Sequence, residues 1–268
     1  GLGVELAVSH SVRDTARLLD AVAGPSIGDS VIAPMSSITY TEALARDPGA
    51  LRVGILAHHP RGGTVSDDCV EAAESAGRML ESLGHSVEYS FPHILTDPDT
   101  VSRFMALWAV GAAMNVKTFS EMLGREITAD DMELMNWVQA EFAQNMSGVD
   151  YATALAGVAS YRRECLQWWA DGFDILVTPT LGETAPKIGE HDNNPDRPMD
   201  PMRRAAEWIP FTPPFNTTGQ PAISLPLHVA GNGLPVGVQF VADYGRDDLL
   251  ISLAAQIERA FPWGHIEA

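Results

Sequence analysis

Phe211-Thr-Pro-Pro-Phe-Asn-Thr-Thr-Gly-Gln-Pro-Ala-Ile-Ser-Leu-Pro226 runs from a polar turn built on proline and glycine into an apolar stretch. Gly233-Leu-Pro-Val-Gly-Val-Gln-Phe-Val-Ala242 follows with the same order of turn and apolar run. Between them, Gly231-Asn-Gly-Leu234 is a hairpin signal, because Asn-Gly supplies the positive φ that tight turns require. Two strands are expected, near 222–228 and 236–242. Working outward, Asp174-Ile-Leu-Val-Thr178 reads as a buried strand ending in Pro179-Thr180. Leu51-Arg-Val-Gly-Ile-Leu56 reads as another. Ser66 is placed to cap a helix whose first turn holds Asp67 and Asp68, where the helix dipole favours anions. That helix reaches Leu83 and ends at Gly84, and Ser86-Val-Glu-Tyr-Ser90 is the next strand. A strand, a capped helix and a strand at this spacing imply parallel pairing with a right-handed crossover.

The remaining segments fill in around that frame. Val12, Ala16, Leu19 and Ala23 recur on one face of a helix over 11–24, closed by Gly24. A loop is expected from there to Ala50, and another, rich in Pro and Asp, over 185–202. Residues from about 97 to 172 read as several helices carrying Trp108, Trp137, Trp168 and Trp169. Arg246-Asp-Asp-Leu-Leu opens a final helix to about Ala260. The pattern favours one α/β domain with a helical excursion at 97–172 over two domains.

The chain has 268 residues, near the upper limit for one hydrophobic core, and is 46% hydrophobic and 19% charged. Its formal charge of −18 argues against nucleic acid or anionic membrane as a partner, since both need a basic surface. No apolar run approaches the length of a membrane span and no signal peptide is visible. Two cysteines, Cys69 and Cys165, do not make a disulfide framework, and both read as buried thiols. A reduced, cytoplasmic setting is expected.

Four of these segments, in this order, resemble the amidase signature family. Ser11-Val-Arg-Asp-Thr-Ala-Arg-Leu-Leu-Asp-Ala-Val-Ala-Gly24 resembles the family helix that follows its catalytic segment. Leu51–Leu56 and Phe173-Asp-Ile-Leu-Val-Thr-Pro-Thr180 resemble two family strands, and 211–226 with 233–242 complete the order. The helical middle and the run at 214–226 most resemble the bacterial nylon-oligomer amidases within it. The resemblance implies a hydrolase that cleaves carboxamides, linear or cyclic, with a Ser–cis-Ser–Lys triad. It implies an α/β/α sandwich with a mixed, largely parallel central sheet. It covers 1–268 as the C-terminal portion of an amidase domain, with the catalytic N-terminal portion absent. No catalytic residue is therefore expected in this chain.

The residues support that last expectation. A Ser–Lys centre needs a lysine desolvated enough to accept a proton near neutral pH. The chain has two lysines, Lys117 in an expected helix and Lys187 in a polar loop, and both read as solvated charges. No Gly-x-Ser-x-Gly elbow is present; eight histidines leave a Ser-His-Asp triad possible by number alone. His58-His59 with Asp67, Asp68 and Cys69, and His191-Asp192 with Asp196, lack metal-ligand spacing, so no metal and no cofactor are expected.

What the resemblance does assign is a wall of the substrate pocket: Thr212, Phe215, Asn216 and Gln220 from the turn, and Trp137 from the helical middle. The alternative reading has Asn216 and Gln220 satisfying backbone groups within a loop that ties two strands, and Trp137 in a core. The expected partners are a small-molecule amide and either the N-terminal half of the enzyme or a second copy of the chain. A different class of function stays open beside this one: a non-catalytic, amidase-like subunit that pairs with a second chain, as in a two-chain amidase or a glutamine amidotransferase.

Overall fold

The computed structural model describes residues 2–4, 6–192 and 194–264. Its five strands are β1 (Arg52–Ile55), β2 (Ser86–Glu88), β3 (Ile175–Pro179), β4 (Ala222–Val229) and β5 (Pro235–Ala242). They form one sheet in the order β2-β1-β3-β5-β4. β1 pairs parallel with both β2 and β3, while β3–β5 and β5–β4 are antiparallel. The sheet is mixed, and half of its pairings are parallel. The parallel β1–β2 pair is joined by α3 (Asp67–Ser82), capped by the Ser66 hydroxyl on the Cys69 N–H, and Gly84 turns the chain after it at φ +94°.

Strand periodicity sorts the core into two layers. Ile175 and Val177 of β3, with Val53 and Ile55 of β1 and Val238 and Phe240 of β5, face one side. There they meet Cys69, Ala72, Ala73, Ala76 and Leu80, one stripe of α3, and α9 (Asp247–Ala260). Helices α1 (Val12–Val22) and α2 (Tyr40–Ala43) complete that layer. Leu176, Leu56 and Val241 face the other side, against Tyr161, Cys165, Trp168 and Trp169 of α6 (Gly148–Ala170) and against Phe211 and Phe215. One residue of β1 is fixed by this second layer. A Cβ on Gly54 would strike the Ser90 carbonyl oxygen and the Trp168 ring. That ring stacks on Phe173 with centroids 3.9 Å apart and donates its indole N–H to Ser90 Oγ at 3.0 Å.

The helical middle is α4 (Asp99–Leu123), α5 (Leu134–Gln144) and α6, with α4 packed on both others. Three expectations need correction. The loop before residue 50 contains α2, whose N-terminus is closed by a reciprocal Thr39–Glu42 capping box. The loop over 185–202 gives way at Asp200 to α7 (Asp200–Trp208). In the hairpin, among the described residues only glycine takes positive φ: Gly233 sits at +84°, while Asn232 uses its side chain to accept the Leu234 N–H at 3.0 Å.

Candidate functional site

The stretch at 211–220 is more than a turn. Pro213 and Pro214 occupy the first turn of a six-residue helix, α8 (Pro213–Thr218), where proline's missing N–H costs nothing. Gly219 ends it at φ +73°, the left-handed conformation that suits glycine. Two buried glutamines clamp this helix to the sheet. Gln239 of β5 donates to the Phe211 carbonyl at 3.2 Å and to Thr178 Oγ1 at 3.0 Å. Gln220 donates to the Ala242 carbonyl at 3.0 Å and accepts from Thr218 Oγ1 at 3.0 Å. The Cys165 thiol points at the same Gln220 oxygen, 3.7 Å away, and burial pushes that thiol up to about 12. Such a thiol stays protonated and is a packing group, not a nucleophile.

Held this way, the end of α8 forms the floor of a cleft of about 880 Å³. Asn216, Thr217, Thr218 and Gly219 line the floor. Residues 107–119 of α4 supply one wall, including Leu107, Trp108, Met114 and Phe119. Tyr151, Leu155, Val158 and Arg162 of α6 supply the other, at the spacing that places them on one helix face. Leu2 and Gly3 close one end, tied down by Asn216 Nδ2 donating to the Leu2 carbonyl at 2.8 Å. The walls are mostly apolar. Asn115 and Asn136 bring side-chain amides to them. Arg162 brings a guanidinium whose carbon lies 4.2 Å from the Tyr244 ring centroid.

The five residues assigned from sequence fall in different places. Asn216 lines the cleft. Phe215 is one residue away but turns into the core beneath the floor, 5% exposed. Gln220 is buried and its amide is spent inside the protein. Thr212 is the half-buried residue that precedes α8. Trp137 is half-buried on α5, next to the cleft residue Asn136. Asn115, Asn136, Tyr151 and Arg162 escaped the sequence reading. The i, i+4, i+7, i+11 spacing of 151, 155, 158 and 162 was there to find, but it describes a helix face without saying what the face meets. Both lysines are exposed, as expected.

The amidase family model matches residues 5–251. The chain belongs to the amidase signature family. This amidase chain is 38% identical over 261 residues to the 6-aminohexanoate-cyclic-dimer hydrolases of Pseudomonas sp. strain NK87 and Paenarthrobacter ureafaciens, a match covering 95% of it and 53% of them. It is 30% identical to the putative amidase AmiC of Mycobacterium leprae, covering 100% of this chain and 54% of that one. A solved structure of 6-aminohexanoate cyclic dimer hydrolase superposes with a TM-score of 0.90 at 37% identity, over 94% of this chain and 54% of that one. A bacterial aryl acylamidase shares the fold at a TM-score of 0.75 and 20% identity. The amidase chain thus spans about half the length of the relatives it matches.

Proposed function

We propose that this chain, as one C-terminal portion of an amidase domain, forms a wall of the substrate cleft of a carboxamide hydrolase. The reaction runs through a Ser–cis-Ser–Lys centre carried outside these residues, so this chain alone is inactive. In the complete site a serine hydroxyl attacks the scissile carbonyl, backbone N–H groups hold the oxyanion, and the amine leaves from an acyl-enzyme that water then opens.

One observation carries the reading: the cleft over α8 is apolar along its walls and offers unspent side-chain amides at intervals. Among the described residues the side chains of Asn115 and Asn136 have no protein partner, and each can accept from an amide N–H and donate to its carbonyl. Apolar walls with a few orienting polar groups suit a flexible acyl chain around a scissile amide. The relatives named for a cyclic amide support cyclic carboxamides within the proposed substrate class of linear and cyclic carboxamides. Both lysines are exposed, and neither has the desolvation that a Ser–Lys base needs. Thr212, Phe215, Asn216, Gln220 and Trp137 are proposed to serve the pocket at two depths: Asn216 facing substrate, the others fixing the floor and the neighbouring helices. Two buried free thiols suit a reducing cytoplasm. Among the described residues no helix is long and apolar enough to cross a membrane.

The test is the intact mass of the chain after exposure to a fluorophosphonate, alongside turnover of 6-aminohexanoate cyclic dimer. No adduct and no turnover are expected. An adduct or measurable hydrolysis would place an activated serine within these residues and overturn the assignment of the centre. A second reading, a non-catalytic subunit of a two-chain enzyme, is favoured by the open outer edge of β4. It is separated from the first by whether turnover appears when this chain is mixed with a polypeptide carrying the signature segment.

A further inference from the structure

Arg162 is the one arginine or lysine among the described residues that line the cleft. Its guanidinium stacks on Tyr244 and, among the described residues, has no hydrogen-bond or ion-pair partner. Other arginines of this chain find acids: Arg204 holds Glu183 and Glu190, Arg125 holds Asp131, and Arg103 holds Asp97. Arg17, Arg46, Arg61, Arg163 and Arg259 also lack a carboxylate partner, but of these six arginines only Arg162 is among the described residues that line the cleft. Stacking fixes the plane of the guanidinium and leaves its N–H edge unspent. That edge is a fork matched to a carboxylate.

The approach to Arg162 is graded. Tyr151, Leu155 and Val158 run along the same face of α6 toward it, and eleven residues of helix span about 16 Å. Asn216 lines the same cleft on the floor side. An apolar lane that ends at an unpaired cation fits a flexible aliphatic chain that ends in an anion. We infer that the cleft takes carboxamides whose chain terminates in a carboxylate, and that Arg162 reads that carboxylate with a two-pronged hydrogen bond. The inference rests on the cleft being the substrate site, as proposed above.

The probes are 6-acetamidohexanoate and its uncharged counterpart 6-acetamidohexanamide, titrated into the 268-residue chain by calorimetry. The carboxylate is expected to bind about tenfold or more tighter than the carboxamide, the size of a charge-assisted hydrogen bond. Added salt is expected to erode that ratio in the unmodified chain. Arg162→Gln is expected to collapse the ratio to about one, and Arg162→Lys, which keeps the charge but not the fork, to retain part of it. Equal affinities in the unmodified chain, or a ratio that survives Arg162→Gln, would overturn the inference while leaving the cleft in place. Failure of both ligands to bind would overturn both. A thermal melt checks that each variant folds, and if Arg162→Gln does not, the salt dependence in the unmodified chain decides: a ratio indifferent to salt sinks the inference.

Discussion

Gln220 ties together three elements beneath the cleft. It is 6% exposed, and its amide joins the Ala242 carbonyl, the Thr218 hydroxyl and the Cys165 thiol. These groups come from β5, α8 and α6, so one side chain sets where the cleft floor stands against the sheet. Replacing it with leucine keeps the bulk, takes the side-chain donor from the buried Ala242 carbonyl and leaves the Thr218 hydroxyl only its long 3.5 Å bond to the Phe215 carbonyl. An unsatisfied buried group costs about 1–3 kcal/mol. Gln220→Leu is therefore expected to lower the melting temperature by several degrees, at about 2–4 °C per kcal/mol for a chain of this size. Denaturant unfolding would check it, and a loss below about 0.5 kcal/mol, the range of an ordinary surface change, would show that the clamp is not structural. The sequence names the type of residue here but not its partners: a glutamine 22 positions from its acceptor carries no local signal. The same holds for Arg162, whose interest lies in what it does not touch. Asn216 lines the cleft floor, in the turn that carries the family resemblance.

At the scale of elements, legibility follows how local the cause is. The strands at 52–55, 175–179, 222–229 and 235–242 announce themselves by apolar runs bounded by Gly and Pro. The cap at Ser66 does so by side-chain chemistry within one turn. Helix α8 hid inside a stretch that composition reads as a turn, because a six-residue helix with prolines in its first turn has the residues of a loop. It is helical because Phe215 is buried and Gln239 holds the preceding carbonyl, both long-range facts. Helix α6 carries one wall of the cleft on its face from Tyr151 to Arg162. It begins at a reciprocal cap: Ser147 Oγ accepts the Asp150 N–H at 3.2 Å, and the Asp150 carboxylate accepts the Ser147 N–H at 2.9 Å. Those hydrogen bonds pull the Asp150 carboxyl below its ordinary range, with the Ser147 hydroxyl the largest contributor. Ser147→Ala is expected to cost about 1 kcal/mol and to speed amide exchange in the first turn of α6, next to Tyr151. Unchanged exchange at 149–152 would mean that packing on α4, not the cap, sets where the wall begins.

For the whole molecule one open side is the outer edge of β4. Among the described residues β4 pairs only with β5, and Ala222, Ser224 and Pro226 are exposed along it. An unpaired strand edge is a template for another strand. Here the template is short. The β4–β5 register slips between Leu225 and His228, and Pro226 sits in that irregularity with no N–H to offer. Proline and bulges at sheet edges act against unwanted pairing. A formal charge of −18 adds general repulsion between copies. Beside the edge, residues 6–12 line a groove of about 640 Å³ with 222–226, and Val8 stands fully exposed in that segment. Two brakes thus act on an edge that would otherwise pair: local geometry and overall charge. They can be separated. Salt screens the charge, so the chain is expected to self-associate first as ionic strength rises. Pro226→Thr restores an N–H and a strand-forming residue at the irregularity, and is expected to move the onset of association, read by light scattering, to lower salt. Superimposable salt curves for the two chains would mean that Pro226 does not guard the edge, and that charge alone keeps copies apart.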